Sequence, residues 1–136
     1  QEKRREEALD RIRDAFRGAH AYRLGMGQKT VQNDVDARFA ETETGDWTDR
    51  TFADVIAEDP DGFARFVALD ADWGFPGGES FAEQRARVLE GIADWRARDI
   101  PGHVVIVCHG NTIRLATREE DGPAADRPDN GSLVGL

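Results

Sequence analysis

The sequence has few of the features that mark disulfide-rich, membrane or nucleic-acid-binding proteins. Its one cysteine, Cys108, cannot form an internal disulfide, and no signal-peptide pattern opens the chain. No apolar run approaches the roughly 20 residues that a membrane span needs. Acidic residues outnumber basic ones 27 to 18, and the net charge of -9 argues against a surface for nucleic acid. These absences predict a cytoplasmic protein without a membrane or nucleic-acid partner.

The length of 136 residues suits one domain spanning residues 1–136. A domain of this size buries roughly 68% of the surface of its unfolded chain. The chain opens with Gln1 inside an amphipathic helical pattern, in which Leu9, Ile12 and Phe16 share one face. Because the pattern is already under way at the first residue, we expect the domain to be incomplete at its N-terminal side.

Helix caps and apolar runs predict an α/β fold. Thr51 with Asp54 forms an approximate capping box, and Ser80 with Glu83 a full one, so each opens a helix. Asp61 opens a further short helix. The remaining predicted elements are a short strand near residues 30–32, a fully buried strand "HVVIVC", a helix "NTIRLATREE" and a last strand "GSLVGL". Alternating helices and strands in the second half favour an α/β sandwich.

A histidine follows the buried strand at its carboxyl end. In an open α/β sheet, ligands collect at this end, where the N-termini of the following helices point. Gly110 and Asn111 come directly after His109 and let the backbone approach an anion. These residues are therefore compatible with a phosphate site. Spacing alone nevertheless favours the simpler interpretation, a histidine that ends the strand and hydrogen-bonds the backbone.

Four stretches of the sequence resemble successive motifs of the histidine phosphatase superfamily, the phosphoglycerate mutase-like proteins. They are "ARFAETETGDWTDRTFADV", "FPGGESFAEQRARV", "VVIVCHGNTIR" and "DNGSLVGL", in the order and at about the spacing of the family, and they cover residues 35 to 136. The resemblance implies a three-layer α/β/α sandwich with a mostly parallel sheet. It also implies phosphoryl transfer through a phosphohistidine.

The resemblance assigns roles to individual residues. His109 matches the second histidine of the family, which binds and stabilises the transferring phosphoryl group, and Glu41 matches the carboxylate that protonates the leaving oxygen. The backbone at Gly110 and Asn111 is implied to reach the phosphate. Neither a metal nor a cofactor is implied, and the partner is a small phosphorylated substrate or inorganic phosphate. A homodimer stays open.

The sequence departs from the family at the nucleophile. The family places its nucleophilic histidine in an Arg-His-Gly motif, and no such motif occurs in the 136 residues. His20 and His103 are poor replacements, because His20 follows no buried strand and His103 begins the strand that His109 ends. Arg17 is a candidate for the second arginine of the pocket. Two functions follow: a phosphomonoester hydrolase or mutase with its nucleophile upstream of Gln1, or a catalytically silent phosphate-binding or interaction module. We favour the hydrolase.

Three further residues have more ordinary interpretations. Glu79 of "GGES" is expected to brace its loop rather than transfer a proton. Cys108 is expected in the core, because neighbours on a strand point to opposite faces and it cannot pair with His109. Of the three tryptophans, only Trp73 is expected at the mouth of the substrate site.

Overall fold

A computed structural model describes residues 20–24, 32–120 and 122–136. The secondary structure in these ranges comprises three strands, β1 (His20–Leu24), β2 (Gln32–Val35) and β3 (His103–Val107), and four helices, α1 (Phe52–Glu58), α2 (Pro60–Val67), α3 (Phe81–Ala97) and α4 (Gly110–Thr117). Two short 3-10 helices, Ala37–Phe39 and Gly45–Trp47, precede α1. Arg17 and the amphipathic segment that contains Leu9, Ile12 and Phe16 lie outside the described residues.

The strands form one sheet in the order β2-β1-β3, and both pairings are antiparallel. The α/β class is thus confirmed, but the described strands differ from the mostly parallel sheet that the family resemblance implies. A parallel pair needs a strand on each side of a crossover. The described residues contain one strand-helix unit, β3 followed by α4, and no strand forms after it. The last strand predicted over residues 131–136 is therefore wrong, and Leu133, Val134 and Leu136 lie exposed.

Side-chain caps explain where the helices begin. Thr51 caps α1 by accepting a hydrogen bond from the Asp54 amide (3.2 Å), and Ser80 and Glu83 form the complete capping box of α3. The start of α2 differs by two residues from the prediction. Asp59, rather than Asp61, is the N-cap, because its carboxylate accepts from the Gly62 amide at 2.8 Å and proline occupies the first helical position.

An aromatic cluster forms one half of the core. Its buried residues are Trp47, Val55, Leu69, Trp73, Phe75, Phe81 and Leu115. Trp73 is only 7% exposed, and its ring lies 4.8 Å from that of Phe75 in an edge-to-face arrangement. Trp73 therefore packs in the core, and its expected place at a substrate mouth is wrong. The glycine and proline around it suggested an open loop, but the loop folds back over its own aromatic side chains.

A second cluster places α3 against the sheet. Its buried members are Phe39, Val88, Ile92 and Trp95, and Val104, Ile106 and Cys108 pack against them. The strand β3 is half-buried along most of its length, with His103 exposed, rather than fully buried as predicted. Its cover comes from α3 on the face that Val104 and Ile106 share. No described helix is long and apolar enough to cross a bilayer.

Candidate active site

His109 is the N-cap of α4, two residues beyond the end of β3. Its backbone is extended (φ -105°, ψ 161°), and its carbonyl accepts a hydrogen bond from the Ile113 amide at 3.0 Å. The imidazole makes no capping hydrogen bond to the helix. The simpler interpretation requires the imidazole to hydrogen-bond the backbone at the strand end. Among the described residues, the ring makes no such hydrogen bond.

Glu41 lies beside this ring. The distance from its Oε2 to His109 Nδ1 is 3.8 Å, and the two side chains are 42% and 40% exposed. The other carboxylate oxygen of Glu41 accepts from the amide of Thr42 at 3.0 Å. Because 3.8 Å is longer than a hydrogen bond, the imidazole and the carboxylate do not bond each other directly. Both side chains border the same space.

Gly110 and Asn111 form the first turn of α4 and are partly buried. The first amides of a helix have no partner within it and carry about half a positive charge in sum. The side chain of Arg127 lies alongside, because a Cβ built on Gly110 would be 3.6 Å from its Nε. Arg114, one turn into the helix, has its pKa lowered by burial and by the charge of Arg127. Arg127 therefore brings a cationic side chain close to this end of α4, in a chain of net charge -9.

A half-buried arginine on α3 holds the backbone that carries Glu41. Arg87 donates through Nη1 to the carbonyls of Arg38 (2.7 Å) and Ala40 (2.9 Å), and through Nη2 to the carbonyl of Glu41 itself (3.2 Å). Its Nε and Nη2 also bind the two oxygens of Glu79 at 2.6 and 2.8 Å. Sequence reasoning missed Arg87, although the expected brace at Glu79 is half of this pair.

A buried polar network joins residues 38–42, called the Glu41 segment below, to α4. Gln84 is fully buried, and its amide oxygen accepts from the Thr42 hydroxyl. Its amide nitrogen donates to the Thr112 hydroxyl at 3.3 Å, and that hydroxyl donates to the carbonyl of Ala40 at 3.4 Å. Since buried polar groups must find partners, this network specifies how the Glu41 segment sits against the helix that begins after His109.

The sequence profile of the histidine phosphatase superfamily (branch 1) matches residues 5–133. The chain belongs to the histidine phosphatase superfamily. Glucosyl-3-phosphoglycerate phosphatases of Mycobacterium tuberculosis, from strains CDC 1551 / Oshkosh and ATCC 25618 / H37Rv, are each 36% identical to it over 107 residues. The similarity covers 72% of this chain and 48% of each relative, so the chain spans about half the length of the curated relatives it matches.

The thiol of Cys108, the residue before His109, is a poor nucleophile. Burial raises the pKa of Cys108 to about 11, and the negative charge of Glu41 contributes in the same direction. A thiolate is therefore scarce at neutral pH. Cys108 packs with the second cluster, in line with its expected place in the core.

A cavity of about 650 Å³ is lined by residues of α3, β3 and α4 and by the C-terminal residues 132–136. Its lining includes Ile92, Cys108, Ile113 and Leu136, but neither Glu41 nor His109. Because its walls are mainly apolar, this cavity is poorly suited to a phosphate group. Among the described residues, no cluster of three or more histidine, cysteine or acidic side chains could hold a metal ion.

Proposed function

We propose that this chain belongs to a phosphomonoester hydrolase that acts through a phosphohistidine. In this proposal the chain supplies Glu41 and His109 to the active site. The observation that carries the proposal is the approach of Glu41 Oε2 to His109 Nδ1, at 3.8 Å, at the N-terminal end of α4. Membership of the histidine phosphatase superfamily and the names of the phosphatase relatives support it. Because the chain spans half of those relatives, the activity of the whole protein stays a proposal.

In the proposed reaction, a histidine outside the four motif stretches attacks phosphorus, and a nitrogen–phosphorus bond forms while the bond to the leaving oxygen breaks. Glu41 gives its proton to that oxygen, and a general acid of this kind contributes about 10² to 10⁴ in rate. His109 and the amides of Gly110 and Asn111 stabilise the charge on the transferring group. Water then attacks the phosphohistidine, Glu41 takes up the proton, and histidine and phosphate are released.

The proposed substrate is a small phosphorylated metabolite. Since the relatives are named glucosyl-3-phosphoglycerate phosphatases, that compound is the first one to test. A mutase reaction uses the same groups and differs only in the acceptor of the phosphoryl group. For the whole protein we also propose the three-layer α/β/α arrangement and the cytoplasmic location that the sequence predicts.

The test is p-nitrophenyl phosphate hydrolysis by a protein that carries these residues and, if the gene encodes one, an upstream strand that ends in Arg-His-Gly. We expect turnover there, its loss in His109→Ala, and near-background rates from the 136 residues alone, since no Arg-His-Gly motif occurs in them. His103→Ala is the matched control, because His103 is exposed at the other end of β3. Phosphate binding without turnover in the longer protein would favour the catalytically silent module instead.

A further inference from the structure

We propose that Arg87 is a positioning residue that aims Glu41 at the leaving oxygen, and that Glu79 holds Arg87 in place. This inference rests on the proposed function, because it assigns Arg87 a task in the step that Glu41 performs. Arg87 lies on α3 and touches neither the phosphate nor the leaving group in this assignment. It acts only through the backbone that carries the proton donor.

The contacts of Arg87 converge on that backbone. Its guanidinium donates to the carbonyls of Arg38, Ala40 and Glu41, at 2.7, 2.9 and 3.2 Å. Three carbonyls within four residues are thereby fixed to one planar group. The segment has no helix or strand of its own at Ala40 and Glu41, so these bonds replace the ladder that would otherwise hold it.

Glu79 fixes the arginine from the opposite side. Its two oxygens accept from Arg87 Nε and Nη2, and this bidentate pair is 14% and 23% exposed at the carboxylate and the guanidinium. The amide of Glu79 also donates to the carbonyl of Glu43 at 2.9 Å, and one of its carboxylate oxygens accepts from the Glu43 amide at 3.4 Å. The segment is thus clamped before and after Glu41 by the same pair.

The hydrogen bonds of Arg87 leave the phosphate end of the site untouched. Among the described residues, none of them reaches His109, Gly110 or Asn111. Loss of Arg87 should therefore misplace the proton donor while phosphate binding persists. A displacement of about 1 Å in a reacting group can cost about 10² in rate.

Leaving-group dependence distinguishes this role from a general loss of folding. An alkyl phosphate needs a proton on its departing oxygen, whereas p-nitrophenolate departs readily without one. The value of kcat/KM reports the steps up to release of the alcohol, so it isolates the step in which Glu41 donates. A structural defect would lower kcat/KM for both substrates by the same factor.

The experiment compares Arg87→Met, Arg87→Lys and the control Arg85→Met in the active longer protein. Arg85 lies on the same helix, is partly buried and donates to the carbonyl of Arg118 at 3.1 Å, away from Glu41. We expect Arg87→Met to lower kcat/KM for an alkyl phosphate by about 10²-fold. The value for p-nitrophenyl phosphate should fall far less, and the inhibition constant for vanadate should not change.

Arg87→Lys is a smaller change than Arg87→Met, because it retains a positive charge. A single ammonium group cannot, however, reproduce the planar set of N–H donors of the guanidinium. Arg87→Lys should show the same substrate dependence, with a smaller loss. Equal losses for both substrates in the two Arg87 variants, or weaker vanadate inhibition, would overturn the assignment while leaving the proposed function intact. An unaltered protein that binds vanadate but turns over neither substrate would instead overturn the proposed function, and the role of Arg87 with it.

Discussion

Gln84 and Thr112 are joined by a hydrogen bond between two fully buried side chains, with Gln84 Nε2 donating to Thr112 Oγ at 3.3 Å. The other end of the Gln84 amide accepts from Thr42, the residue that follows Glu41. Thr112 stands on the helix that begins after His109. One amide on α3 therefore sets the relative position of the two groups proposed to act on the substrate, although they lie far apart in the sequence.

Replacement of Gln84 by leucine should destabilise the fold, because the hydroxyls of Thr42 and Thr112 would lose a partner in a buried place. We expect the free energy of unfolding to fall by about 2 to 3 kcal/mol, measured by urea denaturation. Adding Thr42→Val and Thr112→Val should recover part of that loss, since apolar groups of similar shape replace the whole network. Losses that simply add across the three positions would contradict a coupled network.

The carboxylate of Asp36 makes stability depend on pH. It binds Arg38 at 2.7 Å and accepts from the Trp95 indole at 2.9 Å, so it connects the segment before Glu41 to α3. Its hydrogen bonds to Arg38, aided by Trp95, lower its pKa from 3.8 to about 2. A lowered pKa in the folded state means that the stabilisation is complete above the unfolded value and is lost as the pH falls through 2.

Asp36→Asn should therefore cost about 1 to 2 kcal/mol at neutral pH. The difference from the unaltered protein should shrink as the pH falls from about 4 towards 2. Denaturant titrations across this range measure it. Asp99→Asn is the control, because it changes an exposed carboxylate near the end of α3. A difference that is constant from neutral pH to pH 2 would argue against the ion pair as the cause.

Gly45 allows two loops to meet beside the Glu41 segment. Its φ of +50° is a conformation that glycine adopts freely, and a Cβ on it would lie 2.3 Å from the Pro76 carbonyl oxygen. Gly45→Ala should lower the free energy of unfolding by more than about 1 kcal/mol, measured by thermal or urea denaturation. Gly135→Ala, where a Cβ would meet nothing within 4 Å, should have little effect. If Gly45→Ala lowered the free energy of unfolding as little as Gly135→Ala, the backbone at Gly45 would be able to relax around the new Cβ.

Much of this arrangement is predictable because its signals are local. The helix caps at Thr51 and Ser80 follow from residue spacing, and the structure confirms them. The approach of Glu41 to His109 is different, since spacing cannot bring distant residues together. That pairing was implied only by resemblance to the superfamily.

The features that sequence reasoning missed depend on the backbone or on tertiary packing. Arg87 binds carbonyl groups, which every residue has, so its partners leave no signal in the sequence. Trp73 lies in a glycine-rich and proline-rich stretch that reads as an exposed loop, yet aromatic packing buries it. The predicted last strand failed for a related reason: an apolar run indicates a strand only where a sheet edge receives it.

The amide of Gly110 provides a direct test of the phosphate site. We expect vanadate or phosphate at millimolar concentration to shift the ring resonances of His109 and the amide resonances of Gly110 and Asn111. The ring of His103, at the other end of β3, should not respond. Free amides at a helix N-terminus bind anions through oriented N–H groups and the helix dipole, so binding should persist even where nothing is hydrolysed.

Two substitutions at Gly110 distinguish the contribution of its N–H to anion binding from the effect of adding a side chain at the first turn of α4. Gly110→Pro removes the N–H, yet proline suits the first helical position, and the extended backbone of His109 suits a residue before proline. Gly110→Ala keeps the N–H, and its Cβ would make ordinary contact with Arg127 at 3.6 Å. Since a hydrogen bond to a charged group contributes about 1.5 to 3 kcal/mol, the proline variant should bind vanadate about tenfold or more weakly than the alanine variant. Equal affinities in NMR titrations of the two variants would place the anion away from the start of α4.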